Sequence, residues 1–383
     1  MELADVFNSL KDLKTTKENW QVVNAITKCR TSSLGGHLYQ CNHCEKIQPR
    51  YNSCRNRHCP KCQGKETARW LEARSKELLN VPYFHLVFTL PDEFNEIVIN
   101  NKELVLDVLF KAVSKTLLKV AERRLKGKIG FFSILHTWGQ KLQFHPHLHC
   151  VVPGLVLFDD GTYKTTSKKF FLPIKILNKV FRAIFIKKLR VILEKNKLLS
   201  SDHDLLLRNS TRQEWIVYAQ RPFAGPETVL KYLANYTHKI AISNSRIKKI
   251  EREQVFFSYK DYQQGGKKFI TTLPVNEFAR RFLLHVLPAQ FVRIRHYGFL
   301  SAKNKKKILP SLKLALPAIS RIKQVSDELK FRCQLCKNGK LIMILNIPII
   351  LNILSIPHSR QHSPPVHLAK TPPVQHQDGG TRL

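Results

Sequence analysis

The sequence predicts an α+β fold in which an N-terminal zinc-binding module precedes an antiparallel sheet domain with helices. Three observations carry this expectation. Six cysteines (Cys29, Cys41, Cys44, Cys54, Cys59 and Cys62) crowd into one short stretch. Beyond residue 82, strand-like apolar runs mix with long helical patterns without strict βαβ alternation. One of those runs alternates histidine with apolar residues.

The elements follow in chain order. KETARWLEARSKELL reads as a helix that leads into Val81-Pro82, a boundary because the residue before proline disfavours helix. Residues 84–91 (FHLVFTLP), 130–139, 144–154 and 214–220 are bounded β-rich runs and read as strands. Residues 96–126 and 174–197 read as helices, the second behind Pro173, whose fixed φ suits a first turn. The expected domains are therefore 1–80, a zinc-binding and DNA-binding module; 81–300, the sheet domain; and 301–383, a basic then low-complexity tail that is poorly ordered.

Charge narrows the partners. The chain of 383 residues carries 64 Lys and Arg against 28 Asp and Glu, a formal net charge of +36. That excess repels itself on compaction, and a polyanion relieves it, with nucleic acid the first candidate. Hydrophobic residues at 43% exclude a wholly disordered chain. The acidic residues of MELADVFNSLKDLK exclude a signal peptide. The apolar stretch 341–357 is broken by Asn346, Pro348 and Asn352, short of the ~20 residues of a membrane span. A soluble intracellular protein is expected, with no membrane partner. An odd total of nine cysteines, clustered, suits a reducing compartment and metal better than disulfides.

Two CxxC turns, Cys41-x2-Cys44 and Cys59-x2-Cys62, lie on either side of residues 45–58. Each presents two thiolates, and two such turns close a tetrahedral zinc site with no open position. Cys29, His37, Cys54 and His58 remain for a second site. Arg55, Arg57 and Lys61 stand among these ligands as candidates for DNA contact. Cys333-x2-Cys336 has no obvious partner pair and is a weak signal.

In QFHPHLHCVV, Gln143, His145, His147 and His149 share one face of a strand, and Phe144, Pro146, Leu148, Cys150 and Val152 share the other. Alternate imidazoles lie about 7 Å apart along the strand. Two neutral imidazoles can hold one divalent ion and leave positions open. The third ligand is His136 or His145. In the helical pattern 226–242, Tyr232, Tyr236, Asn235 and Lys239 lie opposite the stripe of Leu230, Leu233, Ala234, Thr237 and Ala241. A phenol beside a cation is a candidate nucleophile toward phosphate, and Lys239 a candidate DNA contact.

Taken together, these pieces resemble the rolling-circle transposases of the HUH endonuclease superfamily, of the IS-ninety-one type with two tyrosines, over most of residues 1–310. GGHLYQC…YNSCRNRHCPKCQ resembles that family's zinc-binding domain, FHLVFTLP its first strand motif, and His147-Leu148-His149 its His-hydrophobe-His element. KYLANYTHKIAISNSR resembles the tyrosine motif, with Tyr232 and Tyr236 at the nucleophile positions, and residues 283–300 the end of the catalytic region. From about Leu341 the text departs from the family. The resemblance implies an enzyme that nicks and joins single-stranded DNA at insertion-sequence ends through a phosphotyrosine. It also implies a structural Zn2+ and a catalytic Mg2+ or Mn2+. The competing readings are a water-using phosphodiesterase and a zinc-module DNA-binding protein without catalysis.

Overall fold

The structure is a computed structural model that describes residues 1–166, 172–223, 228–229, 240–318 and 331–349. Its centre is a five-stranded antiparallel sheet with the order β12-β4-β5-β3-β8. The strands are β3 (Tyr83–Thr89), β4 (Gly130–Trp138), β5 (Phe144–Pro153), β8 (Val217–Phe223) and β12 (Ile294–Gly298). The mixture of helices and antiparallel sheets is the α+β class that the sequence predicts.

Period-two alternation decides which face each side chain enters. Phe84, Leu86 and Phe88 of β3, and Leu148, Cys150 and Val152 of β5, join the largest core. Two long helices cover that face, α5 (Lys102–Leu125) and α6 (Ile174–Lys195). The expected helix over 96–126 is divided: α4 (Asn95–Asn100) stops at Asn101, whose φ of −135° leaves the helical region. On the other sheet face, Phe132, Ile134 and Val151 pack with Leu309 and Leu312 of α9 (Ala302–Ala315). That face is apolar at one end only; at the other end it carries the histidines.

Two expected boundaries are not kept. Helices α1 (Leu3–Asn8) and α2 (Lys17–Lys28) do not form a core of their own. Leu3, Phe7, Val23 and Ile26 share one with Ile247, Val255, Phe257, Phe278 and Phe282. These later residues belong to the sheet β9-β10-β11 (Ile247–Glu251, Gln254–Asp261, Lys267–Pro274) and to α8 (Val275–Leu284). The first helices are too short to bury an apolar face alone, so they borrow one from residues 240–286. Nor is the stretch after residue 300 a featureless tail. It supplies α9, and then β13 (Leu341–Ile347), which pairs with β1 (Gly36–Cys41) in the sheet β13-β1-β2, where β2 is Ile47–Tyr51. Charge and Pro content hid these elements, because pairing across 300 residues leaves no local pattern. No described helix is long and apolar enough to cross a membrane.

Candidate metal centres

The histidine site lies on β3, β4 and β5. Antiparallel pairing sets His136 directly opposite His147, and Ile134 and Val87 opposite His149. Directly opposed residues approach to about 5 Å, closer than alternate residues along one strand. The imidazoles of His136, His147 and His149 therefore converge, with ligand atoms within 4.8 Å of one another. Of the two further candidates, His136 is the one that lies with His147 and His149. His145 turns outward to Asp92, 3.4 Å away. A register shift between His136 and Trp138 bends β4 here, and the indole stacks on His136 with centroids 4.4 Å apart.

Hydrogen bonds set the ring nitrogens. His147 Nδ1 donates to the His145 carbonyl at 2.6 Å, which leaves its Nε2 bare. That atom lies 3.1 Å from His149 Nε2. The other nitrogen of His149, Nδ1, lies 2.8 Å from His85 Nε2. Those two rings are nearly coplanar, 6° apart with centroids 5.1 Å apart, so this hydrogen bond runs straight along the lone pair. The 3.1 Å gap admits a shared proton or a cation. Two nitrogens about 2.1 Å from one ion and adjacent in its coordination shell lie about 3.0–3.4 Å apart. Burial pulls His147 down to about 4, and burial with the neighbouring His136 holds His149 well below its ordinary value. His147 and His149 are therefore neutral at physiological pH, which is the state a metal ligand needs. Three imidazoles suit Mn2+ or a related transition ion better than Mg2+, which prefers oxygen.

His85 is the residue that the sequence reading passed over. It is fully buried beside His149. The signal was present: His85, Val87 and Thr89 alternate with Phe84, Leu86 and Phe88. A lone histidine within an apolar run simply looked like part of the strand.

The cysteines group differently from the expected set. Cys59 and Cys62 stand with Cys29 and Cys54, not with Cys41 and Cys44. Cys59 and Cys62 open α3 (Pro60–Ser75), while Cys29 ends α2, and the loop between brings Cys54 across. The Cys29–Cys62 and Cys54–Cys62 sulfurs are 3.6 and 3.7 Å apart. Zn–S bonds of about 2.3 Å in a tetrahedron put sulfurs about 3.8 Å apart, so this quartet fits zinc. Burial pushes the Cys29 thiol up to about 11; the neighbouring Cys54 thiol, and then burial, raise Cys59. Thiols this reluctant to ionise need a cation to become ligands. Cys41 and Cys44 lie instead beside Cys333 and Cys336.

The two histidines expected near zinc serve elsewhere. His37 Nδ1 bonds Asn346, and His58 Nδ1 bonds Asn56 while its Nε2 accepts from the Leu287 amide. Burial drives His58 down to about 3. Of the expected DNA contacts, Arg57 is engaged by the protein: its guanidinium donates twice to the Phe291 carbonyl, at 2.9 and 2.8 Å. Lys61 pairs with Glu2 and donates to the Cys29 carbonyl. Arg55 is exposed. Tyr232, Tyr236 and Lys239 lie outside the described residues.

Comparison with known proteins places the chain in a family. A family described as "Transposase zinc-binding domain" matches residues 3–90, and one described as "Putative transposase" matches residues 130–307. The chain is 42% identical over 378 residues to "Putative transposase y4qJ" of Sinorhizobium fredii, covering 90% of this chain and 94% of that one. It is 29% identical over 360 residues to the transposase for insertion sequence element IS801 of Pseudomonas savastanoi pv. phaseolicola, covering 85% and 87%. No solved structure matches. A zinc-binding start, a histidine-bearing antiparallel sheet and relatives matched over nearly their whole length lead to one conclusion: the chain belongs to the transposases of the IS-ninety-one type.

Proposed function

We propose that this transposase nicks single-stranded DNA at the ends of an insertion sequence and rejoins it through a phosphotyrosine intermediate. One observation carries the reading: His136, His147 and His149 converge on one end of the sheet, with a ligand atom of each within 4.8 Å of the others. A divalent ion held there supplies positive charge to the non-bridging oxygens of a phosphodiester. His147 and His149 hold that charge in place, with Nδ1 of each tied by a hydrogen bond. Tyr232 or Tyr236 is the nucleophile. Its oxygen forms a bond to phosphorus, the bond from phosphorus to the 3′ oxygen breaks, and the phenol proton ends on that oxygen. The 5′ end stays on the tyrosine and the 3′-OH is free. The second tyrosine repeats the step on the receiving strand while the first is occupied. Among the described residues, the histidine set includes no carboxylate, which fits an attack by tyrosine better than one by a general-base-activated water. The net charge of +36 and the exposed Arg55, with Lys239, favour a DNA backbone as partner, and hence a place on the bacterial nucleoid.

The test is a covalent adduct. Incubation of the whole protein with a labelled single strand from an element end and Mn2+ is expected to give a band that survives denaturant. Peptide mapping is expected to place it on Tyr232 or Tyr236. The Tyr232→Phe, Tyr236→Phe double variant is expected to form none, and His147→Ala to lose nicking while still binding DNA. An adduct on another residue, or unaltered nicking by the double variant, would overturn the reading.

A further inference from the structure

Cys333 and Cys336 lie beyond both matched family regions, which end at residues 90 and 307. Yet they stand against Cys41 and Cys44, with Cys41–Cys336 sulfurs 3.7 Å apart and Cys44–Cys333 sulfurs 3.8 Å apart. These are the separations of thiolates around tetrahedral zinc, about 3.8 Å. We propose that Cys41, Cys44, Cys333 and Cys336 form a second zinc site, a four-thiolate clasp that makes residues 331–347 part of the N-terminal module.

The two CxxC turns are built alike. The Glu45 amide donates to the Cys41 carbonyl at 3.0 Å, and the Lys337 amide donates to the Cys333 carbonyl at 3.0 Å. The residue after the second cysteine is left-handed in both, Glu45 at φ 56° and Lys337 at φ 60°. Neither is glycine, so each turn holds a conformation that side chains seldom adopt. N–H groups aim at the sulfurs: His43 and Cys44 amides at Cys41, the Gly339 amide at Cys336, and the Gln48 side chain at Cys333, at 3.3 to 3.5 Å. Donors pointed at sulfur favour the thiolate, the form that binds metal.

Packing gives a second, independent reason. The strand β13 pairs with β1 from Gly36↔Ile347 to Cys41↔Leu341. The apolar core beneath this sheet is small: Cys41, Cys333 and Leu341, with Tyr39, Cys44 and Cys336 partly buried. Met343 and Leu345 are more than half exposed. A core in which most members are cysteines does not hold three strands by burial, so the ion supplies the missing cohesion. Four soft thiolates select zinc over Mg2+ or Mn2+ and leave no open position, so the role is structural. The inference is independent of the nicking reading.

Two measurements test it. The purified full chain is alkylated before and after zinc removal by a strong chelator, and the peptides are mapped. Cys41, Cys44, Cys333 and Cys336 are expected to be protected together and released together. Zinc content is compared across variants. The Cys333→Ser, Cys336→Ser double variant is expected to lose one zinc equivalent against the unaltered protein. Gly339→Ala keeps every thiol but sets a methyl 2.3 Å from the Cys41 sulfur, and is expected to lose the same equivalent. Alkylation of Cys333 and Cys336 in zinc-loaded protein while Cys41 and Cys44 stay protected would overturn the clasp. So would an unchanged zinc content in the double variant. Because the mapping uses the unaltered protein, a variant that fails to fold leaves the answer intact.

Discussion

A neutral imidazole binds a cation only through a bare nitrogen, and His149 Nε2 is bare only while its Nδ1–H has somewhere to donate. His85 Nε2 lies 2.8 Å from that Nδ1 and is the group that would accept its proton once a cation occupies Nε2. Removing it strands a buried N–H and frees the other tautomer, and partners of this kind typically govern metal affinity by about 10- to 100-fold. His85→Ala is expected to weaken Mn2+ binding by about that factor, with His85→Gln, which offers an amide oxygen, recovering part of it. Titration followed by the Mn2+ paramagnetic signal reads this directly, and equal affinity in both variants would remove His85 from the site. Two other histidines, His285 buried and His296 half-buried, help set the acid limit of the fold. Burial drives His285 down to about 3 and His296 down to about 4. Unfolded histidine titrates near ~6.5. Below that value the unfolded chain takes up protons that the folded chain refuses. Stability is therefore full above pH ~6.5 and falls as pH drops toward 4, by roughly 1.4 kcal/mol per pH unit for each histidine. Thermal melts between pH 7 and 4.5 are expected to show a steadily falling midpoint, and a flat midpoint would refute the assignment.

At the scale of elements, β12 illustrates how an edge strand is fixed. Arg295 donates to Asp107 at 2.6 Å and lies over the Phe110 ring, 4.1 Å from its centroid, which ties the strand to α5. Gly298 ends it at φ 60°, where an added Cβ would sit 1.8 Å from the Ile129 carbonyl oxygen. Backbone cannot yield there, so Gly298→Ala is expected to cost on the order of 2–4 kcal/mol. Chemical denaturation measures it, and a loss under ~0.5 kcal/mol would mean that β12 does not dock as described. Elements were also the scale at which the sequence spoke most clearly. Phe144 to Val152 could be assigned to two faces because a strand has period two, and the structure keeps that assignment. Cysteine pairing could not be read in the same way. Each CxxC turn is legible alone, but which two turns share an ion depends on strands paired across the whole chain. His136 became the third member of its group through hairpin register, which no spacing in the sequence encodes.

For the whole molecule, the decisive quantity is charge. With a net +36 on 383 residues, lysines and arginines displace the counterions condensed on a nucleic-acid strand, and the release of those ions favours binding. Each phosphate neutralised on a single strand contributes about 0.7 to the slope of log affinity against log salt. Binding to a single-stranded oligonucleotide, followed by fluorescence anisotropy between 50 and 300 mM KCl, is expected to give a slope of several units. A slope below about one would remove the charge argument for a polyanionic partner.

The histidine centre has one further property, which concerns time. His85, His136, His147 and His149 all fall on β3, β4 and β5, adjacent strands that end at Pro153. Tyr232, Tyr236, β12 and the Cys333-x2-Cys336 turn come later in the chain. As the polypeptide leaves the ribosome, every histidine of the centre has emerged well before either phenol. On the mechanism proposed above, the ligands of the ion are thus complete while synthesis continues, and the proposed nucleophiles follow only afterwards.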